Sequence, residues 1–380
     1  MYLSELYIPL TMCRCMGVYP EEKYRTGQIF IFLIIFISQW IIIYLAILHL
    51  IYKDHITISD ITNALETLFL IFHAMIKLSM FFVKESEFHD LLERINYFWK
   101  VNDLEDEVER KKHQKYLKLI KIRSSMYNFW ASATSVAFML KPFLLKGDNS
   151  IFTTVSPAWI PSGVMTFYEE ILFAFGVYGP IVGMDLFTLA LLLLTRMQFN
   201  MLNQEIQCVF QNMTNSEENV EETNEKIKKI VDHHNFLLDY VNRINNAISE
   251  GMFLYIVTIL LSMCVEMYIA SVQKSVMIAI QAMMYASNGL LQYCICYCLP
   301  AQSVTDEAEL TANYVYFNNW NEHPLPSIKV AQIMIIARAQ QKTLILAGGF
   351  IKLDLETYLK TLKTMISYAM FIRTMGIGQD

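Results

Sequence analysis

Few residues in this chain have the types and spacing that chemistry needs. Cys294, Cys296 and Cys298 stand two apart. On a helix that spacing fans the thiols around the axis instead of aiming them at one ion, and no histidine cluster accompanies them. They read as small packing residues. His233 and His234 sit in a charged segment and read as solvated side chains. There is no nucleophile elbow, phosphate-binding glycine loop or zinc-protease pair, so no enzyme, metal or cofactor is expected. Asp185 and Glu266 fall inside apolar runs, where an acid needs a partner. With no motif for a cationic ligand, structural hydrogen bonding is the expectation for both. The remaining pattern is a stripe on the last apolar run. Glu356, Lys360, Lys363, Thr364, Ser367, Phe371, Thr374 and Met375 lie within about 60° of one meridian of a helical wheel. Leu355, Tyr358, Leu362, Met365, Ile366 and Ala369 occupy the other side.

The elements that position these residues are membrane helices. Hydrophobic residues make up 54% of the 380 and charged residues 17%, against about 25% charge in a soluble domain. Mean hydropathy is +0.34. A net charge of −6 gives no basic footprint for nucleic acid. Thr26–Tyr52 contains no charged residue and is too long and branched for a cleaved secretory signal, so it reads as a retained first span. Six more apolar stretches follow, near Ile61–Val83, Ser124–Leu145, Phe167–Met197, Gly251–Ser271, Ser275–Val304 and Leu353–Met375. Twenty-one Lys and Arg fall on the side of the N-terminus and five on the other, which places the N-terminus in the cytoplasm and the C-terminus outside. A seven-helix G-protein-coupled receptor runs the opposite way, and its Asp-Arg-Tyr and Asn-Pro-x-x-Tyr motifs are missing. Nor is there the internal repeat of a secondary transporter. Cys13 and Cys15 fall in the cytoplasmic tail, where a disulfide is not expected. Asn212-Met213-Thr214 matches the glycosylation pattern but is expected on the unglycosylated side.

The fold class expected is an all-α membrane protein of seven helices in which helices four to seven continue into the cytoplasm and pack together. The apolar positions Ile227, Ile230, Val231, His234, Leu237, Leu238 and Val241 recur three and four apart, as on an amphipathic helix. The chain divides into a cytoplasmic tail (1–28), helices one to four with the ligand-binding bundle (29–200), a cytoplasmic anchor segment (201–250), helices five and six (251–304), anchor helices (305–347) and helix seven with a short external end (348–380). Helix seven runs outward. Its stripe is therefore polar near Lys360 and Lys363 and apolar at Phe371 and Met375, a wet vestibule closed by a ring that can gate by dewetting. One helix cannot enclose a conduit, so several subunits are required. Two lysines beside a cation path call for a wide inner mouth or acidic neighbours in another subunit.

The segment Ala347-Gly348-Gly349-Phe350-Ile351-Lys352-Leu353-Asp354-Leu355-Glu356-Thr357-Tyr358-Leu359-Lys360, followed by Ser367-Tyr368-Ala369-Met370-Phe371, resembles the C-terminal signature of insect odorant receptors. Trp320, Asp185-Leu186-Phe187 and Gln198 fit the same pattern. Ala369 replaces the frequent Ser of that signature. Gustatory receptors end differently: Thr357-Tyr358 starts as they do, but Thr364-Met365 stands in place of Gln-Phe. A gustatory receptor-like channel is the second reading and a metabotropic seven-helix receptor the third.

The resemblance to odorant receptors implies a tuning subunit of an odorant-gated, nonselective cation channel of four subunits. It would assemble with the odorant receptor co-receptor in the plasma membrane of the olfactory neuron dendrite, with the cytoplasmic parts of helices four to seven as the contact between subunits. It places the pore along helix seven, at Lys360, Thr364, Ser367, Phe371 and Met375. It places the odorant pocket in the outer half of the bundle. The residues carried onto it are Phe69, Phe72, His73 and Ile76 of helix two; Thr134, Ser135 and Phe138 of helix three; Tyr168, Leu172 and Phe175 of helix four; and Ile280, Met284 and Tyr285 of helix six. Such aromatic and thioether surface suits a small volatile apolar molecule bound by burial, with methionine supplying adaptability.

Overall fold

Long runs of Ile, Leu and Phe without Gly or Pro in their interiors are free to stay helical, and they do. The computed structural model describes residues 2–20, 26–53, 55–104, 106–144, 150–157, 159–211, 220–272, 276–317 and 326–376. In chain order the helices are α1 (Tyr7–Cys15), α2 (Thr26–Ile51), α3 (Ile58–Val83), α4 (Glu85–Arg94), α5 (Glu107–Met139), α6 (Lys141–Leu144), α7 (Ser162–Leu172), α8 (Gly179–Gln211), α9 (Val220–Val272), α10 (Val276–Leu291), α11 (Leu299–Tyr316), α12 (Pro326–Ala339) and α13 (Leu355–Gly376). Two turns of π-helix, Phe173–Tyr178 and Gln292–Cys298, join α7 to α8 and α10 to α11 without ending the rod. A two-stranded hairpin, β1 (Leu346–Ala347) and β2 (Ile351–Lys352), precedes α13. Among the described residues, four helical stretches are long and apolar enough to cross a membrane: Thr26–Ile51, Asp60–Val83, Ser162–Phe210 and Glu221–Ser271. Trp320, Asn212 and His323 to Leu325 lie outside the described residues.

The helix starts are sealed locally. Thr57 and Asp60 form a reciprocal capping box at α3, and Lys53 reaches Asp60 at 2.6 Å. Asp106 accepts from the Val108 amide at 2.9 Å at the start of α5. Helix α8 is the axis of the molecule. It packs against α1, α3, α5, α9 and α11, and 94% of the most apolar stretch of α7–α8 is buried, which explains why its sequence is apolar all round. The N-terminal segment packs into this core. Tyr2, Leu6, Leu10, Cys13 and Met16 are buried. The chain leaves α1 through Gly17 at φ +71°, where a Cβ would stand 2.2 Å from the Gln28 carbonyl oxygen.

Helix α9 has 53 residues, about 80 Å at 1.5 Å per residue, more than twice the ~30 Å apolar layer of a bilayer. The part after Gly251 is by itself long enough to cross that layer. Here one expectation is corrected: His233 and His234 are buried, at 6% and 2% exposure. The polar half, ahead of Gly251, packs against α4, α8 and α12. His233 stacks on Trp99 with centroids 4.0 Å apart. Trp99 is held in turn by Gln198, whose Oε1 accepts from its amide at 2.8 Å and whose Nε2 donates to its carbonyl at 3.0 Å. The Tyr2 hydroxyl donates to the same carbonyl. The hairpin is tied to α9 by Asn245, which donates to the Leu344 carbonyl at 2.7 Å and accepts from the Leu346 amide at 2.9 Å. Gly348, at φ +62° against Phe253, lets the turn approach so closely that its amide reaches the Ser249 carbonyl at 2.8 Å.

Two consequences can be measured. Asn245→Ala removes both side-chain ties of the hairpin and is expected to cost about 1–3 kcal/mol, read as a lowered Tm of detergent-solubilised protein. Burial lowers the imidazole of His233 to about 3 and that of His234 to about 4. Between those values and the ordinary His value near 6.5 the unfolded chain holds protons that the native state does not. Stability is therefore complete above about pH 6.5 and falls as the pH drops below it. His233→Phe, which keeps the stack on Trp99, should flatten that acid limb in thermal melts between pH 7 and pH 5.

Candidate functional site

At the middle of the bundle lies a buried charge pair. Asp185 of α8 and Lys77 of α3, 0% and 2% exposed, are bonded to each other. The second Asp185 oxygen accepts from Tyr127 of α5 at 2.6 Å, and Tyr297 of the second π turn donates to the first. The Lys77 ammonium also lies 4.6 Å from the centroid of the Tyr255 ring of α9. Structural hydrogen bonding, expected of Asp185, is what the geometry gives it. Four rods are pinned to one carboxylate, because an ion in this setting persists only if every lone pair is matched.

Both π turns border this node, and each inserts an extra residue that rotates the downstream side chains relative to a regular wheel. In the first, the Gly176 carbonyl lacks its α-helical donor, because the residue four on is Pro180 with no N–H, and the buried Gln39 of α2 donates to it at 2.6 Å. The second brings Gln292 Nε2 to 3.3 Å from His73 Nε2, and its Tyr293 lies 5.8 Å from Tyr358 of α13.

Two cavities lie between the π turns. One, about 40 Å³, is bounded by Leu70, Ala131, Thr134, Ser135, Phe138, Phe173, Val177, Tyr178 and Val182 together with Ile181, Tyr285 and Asn288. The other, about 30 Å³, is bounded by His73, Thr258, Ile259, Ser262, Met263, Gly289 and Gln292 and by the same Ile181, Tyr285 and Asn288. Those three shared side chains are the partition between them. Each chamber is about the size of one water, far below the several hundred Å³ of an organic ligand site. A ligand enters only if the partition moves.

Of the residues expected at a ligand site, His73, Thr134, Ser135, Phe138 and Tyr285 meet at these cavities. Leu172 and Tyr168 belong to the apolar cluster behind Phe173, and Phe69 packs on Val265, Ile269 and Ala282. Ile76 and Met284 are half-buried and line neither chamber. Phe72, Phe175 and Ile280 point outward, at 38%, 52% and 52% exposure. For Phe175 the cause is the π turn in which it sits, since Phe173 and Val177 take the inward positions. Sequence reasoning missed Ile181, Asn288 and Gln292 and the α9 face of Ile259, Ser262 and Met263. The recurrence of Ile259, Ser262, Met263 and Glu266 three and four apart was the available signal.

Two further carboxylates flank the site. Glu169 of α7 accepts from the Ser150 and Thr154 hydroxyls and from the amides of Ile151 and Phe152, clamping the segment before α7 over the Phe138–Phe173 cluster. Glu266 departs from the expectation. It is wholly buried, yet neither carboxyl oxygen has a hydrogen-bond partner. No group of three His, Cys, Asp or Glu able to hold a metal occurs among the described residues.

Helix α13 is exposed over much of its surface, including Ile366, Tyr368 and Met370 outside the stripe. Met365 and Ala369 are buried, and Cys264 Sγ lies 3.8 Å from the Met365 carbonyl. Glu356, Lys360, Lys363, Thr364, Ser367, Phe371 and Thr374 are all exposed. Lys360 bonds Glu356 one turn earlier at 2.6 Å, so its charge is matched within its own helix. The Met375 side chain lies outside the described residues.

Comparison with known proteins places this helical architecture. The family model described as 7tm odorant receptor matches residues 57–366, and the chain belongs to that family. The structure is similar to that of the insect olfactory receptor OR5 from Machilis hrabei. With that protein in complex with eugenol the TM-score is 0.81 at 13% identity, covering 98% of this chain and 99% of the other. With the same receptor in a second structure the TM-score is 0.77 at 14% identity, covering 98% of each chain. No curated protein sequence matches this chain. The protein is a receptor and not an enzyme.

Asp185→Asn leaves Lys77 buried beside a neutral partner and is expected to cost about 3–5 kcal/mol, lowering the Tm and the yield of folded protein. The double variant Asp185→Leu with Lys77→Met removes both charges and should recover much of that loss. Recovery no better than the single variant would assign the cost to the tyrosine hydrogen bonds.

Proposed function

We propose that this chain is the odorant-binding subunit of a ligand-gated, nonselective cation channel, assembled as a heterotetramer with the odorant receptor co-receptor in the plasma membrane of an olfactory neuron dendrite. Family membership supports the receptor class. The observation that carries the channel reading is α13, which turns a stripe of hydroxyls and charges away from its own subunit while burying Met365 and Ala369. In this reading α2, α3, α5, α7–α8, α9, α10–α11 and α13 are the seven crossings. The N-terminus and the anchor segments 201–250 and 305–347 are cytoplasmic, and the C-terminus is external. Lys360, Thr364, Ser367, Phe371 and Met375 line the conduit, with the last two as the outer gate.

The odorant occupies the merged cavities by displacing Ile181, Tyr285 and Asn288. The second π turn then carries the change outward, because Gln292 lines the cavity while the next residue, Tyr293, rests on Tyr358 of α13. Opening is a population shift: the ligand binds better to the arrangement in which α13 has moved, and only that difference in affinity does the work.

Co-expression with the co-receptor under voltage clamp, with an odour panel, tests the reading. Odour-evoked cation current that requires both chains is expected, together with a C-terminal tag accessible on intact cells. Phe371→Ala should raise basal current or alter permeability at normal surface expression. Unchanged currents would remove Phe371 from the gate, and a tag reached only after permeabilisation would overturn the topology.

A further inference from the structure

Among the described residues, Glu266 is a buried acid with neither carboxyl oxygen hydrogen-bonded. Asp185 is saturated by an ammonium and two phenols, and Glu169 by two hydroxyls and two amides. Glu266 is at 0% exposure with both oxygens unpartnered. A buried carboxyl without a hydrogen-bond partner carries a cost that the fold tolerates only for a return elsewhere.

Its position says what that return is. Along α9, Ile259, Ser262 and Met263 line the second cavity, and Glu266 comes next on the same face, one turn farther along. Around it stand Glu66 of α3, Lys141 of α6 and Tyr285 of α10, each within electrostatic range. Two carboxyls share the one ammonium. Ser262 donates to the Tyr285 hydroxyl oxygen at 3.3 Å. Asn288 Oδ1, on the partition between the chambers, is a further unpartnered acceptor. Beside the cavities stand the unpartnered oxygens of Glu266 and Asn288 Oδ1, with Phe138 and Tyr285 as aromatic surface, their rings 5.6 Å apart. What completes this arrangement is a compact donor carrying positive charge on an apolar body.

We propose that Glu266 is the recognition group for the ammonium of a small aliphatic or aromatic amine, so that this receptor is tuned to amines. The proposal rests on the cavity pair being the ligand site and narrows the chemistry of that site. An ammonium meets the unpartnered oxygens of Glu266 and Asn288 as a donor, which a carbonyl or ester oxygen cannot do.

The test uses the full chain with the co-receptor and three probes of equal carbon number: a primary amine, the corresponding alcohol and a methyl ester. The amine is expected to activate at a concentration at least tenfold below that of the alcohol, with the ester weakest. Glu266→Gln, close in shape, should remove the amine preference at unchanged surface expression. Glu266→Asp should keep it with a shifted half-maximal concentration. The probe series on the unaltered receptor stands alone should Glu266→Gln fail to reach the surface. Strong responses to the alcohol or ester with none to the amine would overturn the proposal and leave the receptor reading intact. So would an amine response unchanged by Glu266→Gln but lost in Glu66→Gln. A surface-expressed assembly silent to every compound of a broad odour panel would overturn both.

Discussion

The bundle is organised around one buried carboxylate. Asp185 has no water to share, so its charge must be met by Lys77 and by the hydroxyls of Tyr127 and Tyr297, and those groups arrive from different helices. Burying the pair is not the cheapest way to fill this volume, since apolar residues would often serve stability as well or better. What it gives is register. A helix held by a directional bond to a charge cannot slide by a turn against its neighbours without leaving an ion unmatched.

Around that fixed point the structure places its two irregular turns. A π turn rotates the side chains that follow it relative to a regular helix. Gln39 takes the Gly176 carbonyl that Pro180 cannot serve, and Tyr297 and Gln292 of the second π turn reach Asp185 and His73. The cavities and the contact to α13 are therefore one mechanical unit. The side chain that lines a chamber and the side chain that touches the last helix are neighbours on the same distorted turn.

Much of the architecture was legible in the residues. Uncharged runs marked apolar helices, four of them long and apolar enough to cross a membrane among the described residues, and the wheel of α13 put Met365 and Ala369 on one side, where both are buried. The side chains around the two cavities were legible only in part. His73, Thr134, Ser135, Phe138 and Tyr285 were reachable because α3, α5 and this part of α10 keep a regular period up to the site. Phe175 was misjudged because no residue type announces a π turn, and Ile280 because its phase on α10 is set by contacts at Tyr285 and Asn288. His233 and His234 looked solvated because the helix is charged on its other face, while Trp99, distant in sequence, supplies the ring that buries one of them.

Composition and periodicity by themselves determined a bundle of apolar helices with one amphipathic helix at its end, because burial and lipid contact act residue by residue and leave their period in the chain. Only the tertiary structure decided which acids are satisfied. Asp185 and Glu266 are alike as sequence, each a lone carboxyl in an apolar run. One meets three donors from three other segments and the other meets none. A hydrogen bond needs a partner brought to within about 3 Å, and that placement is set by how the rods pack.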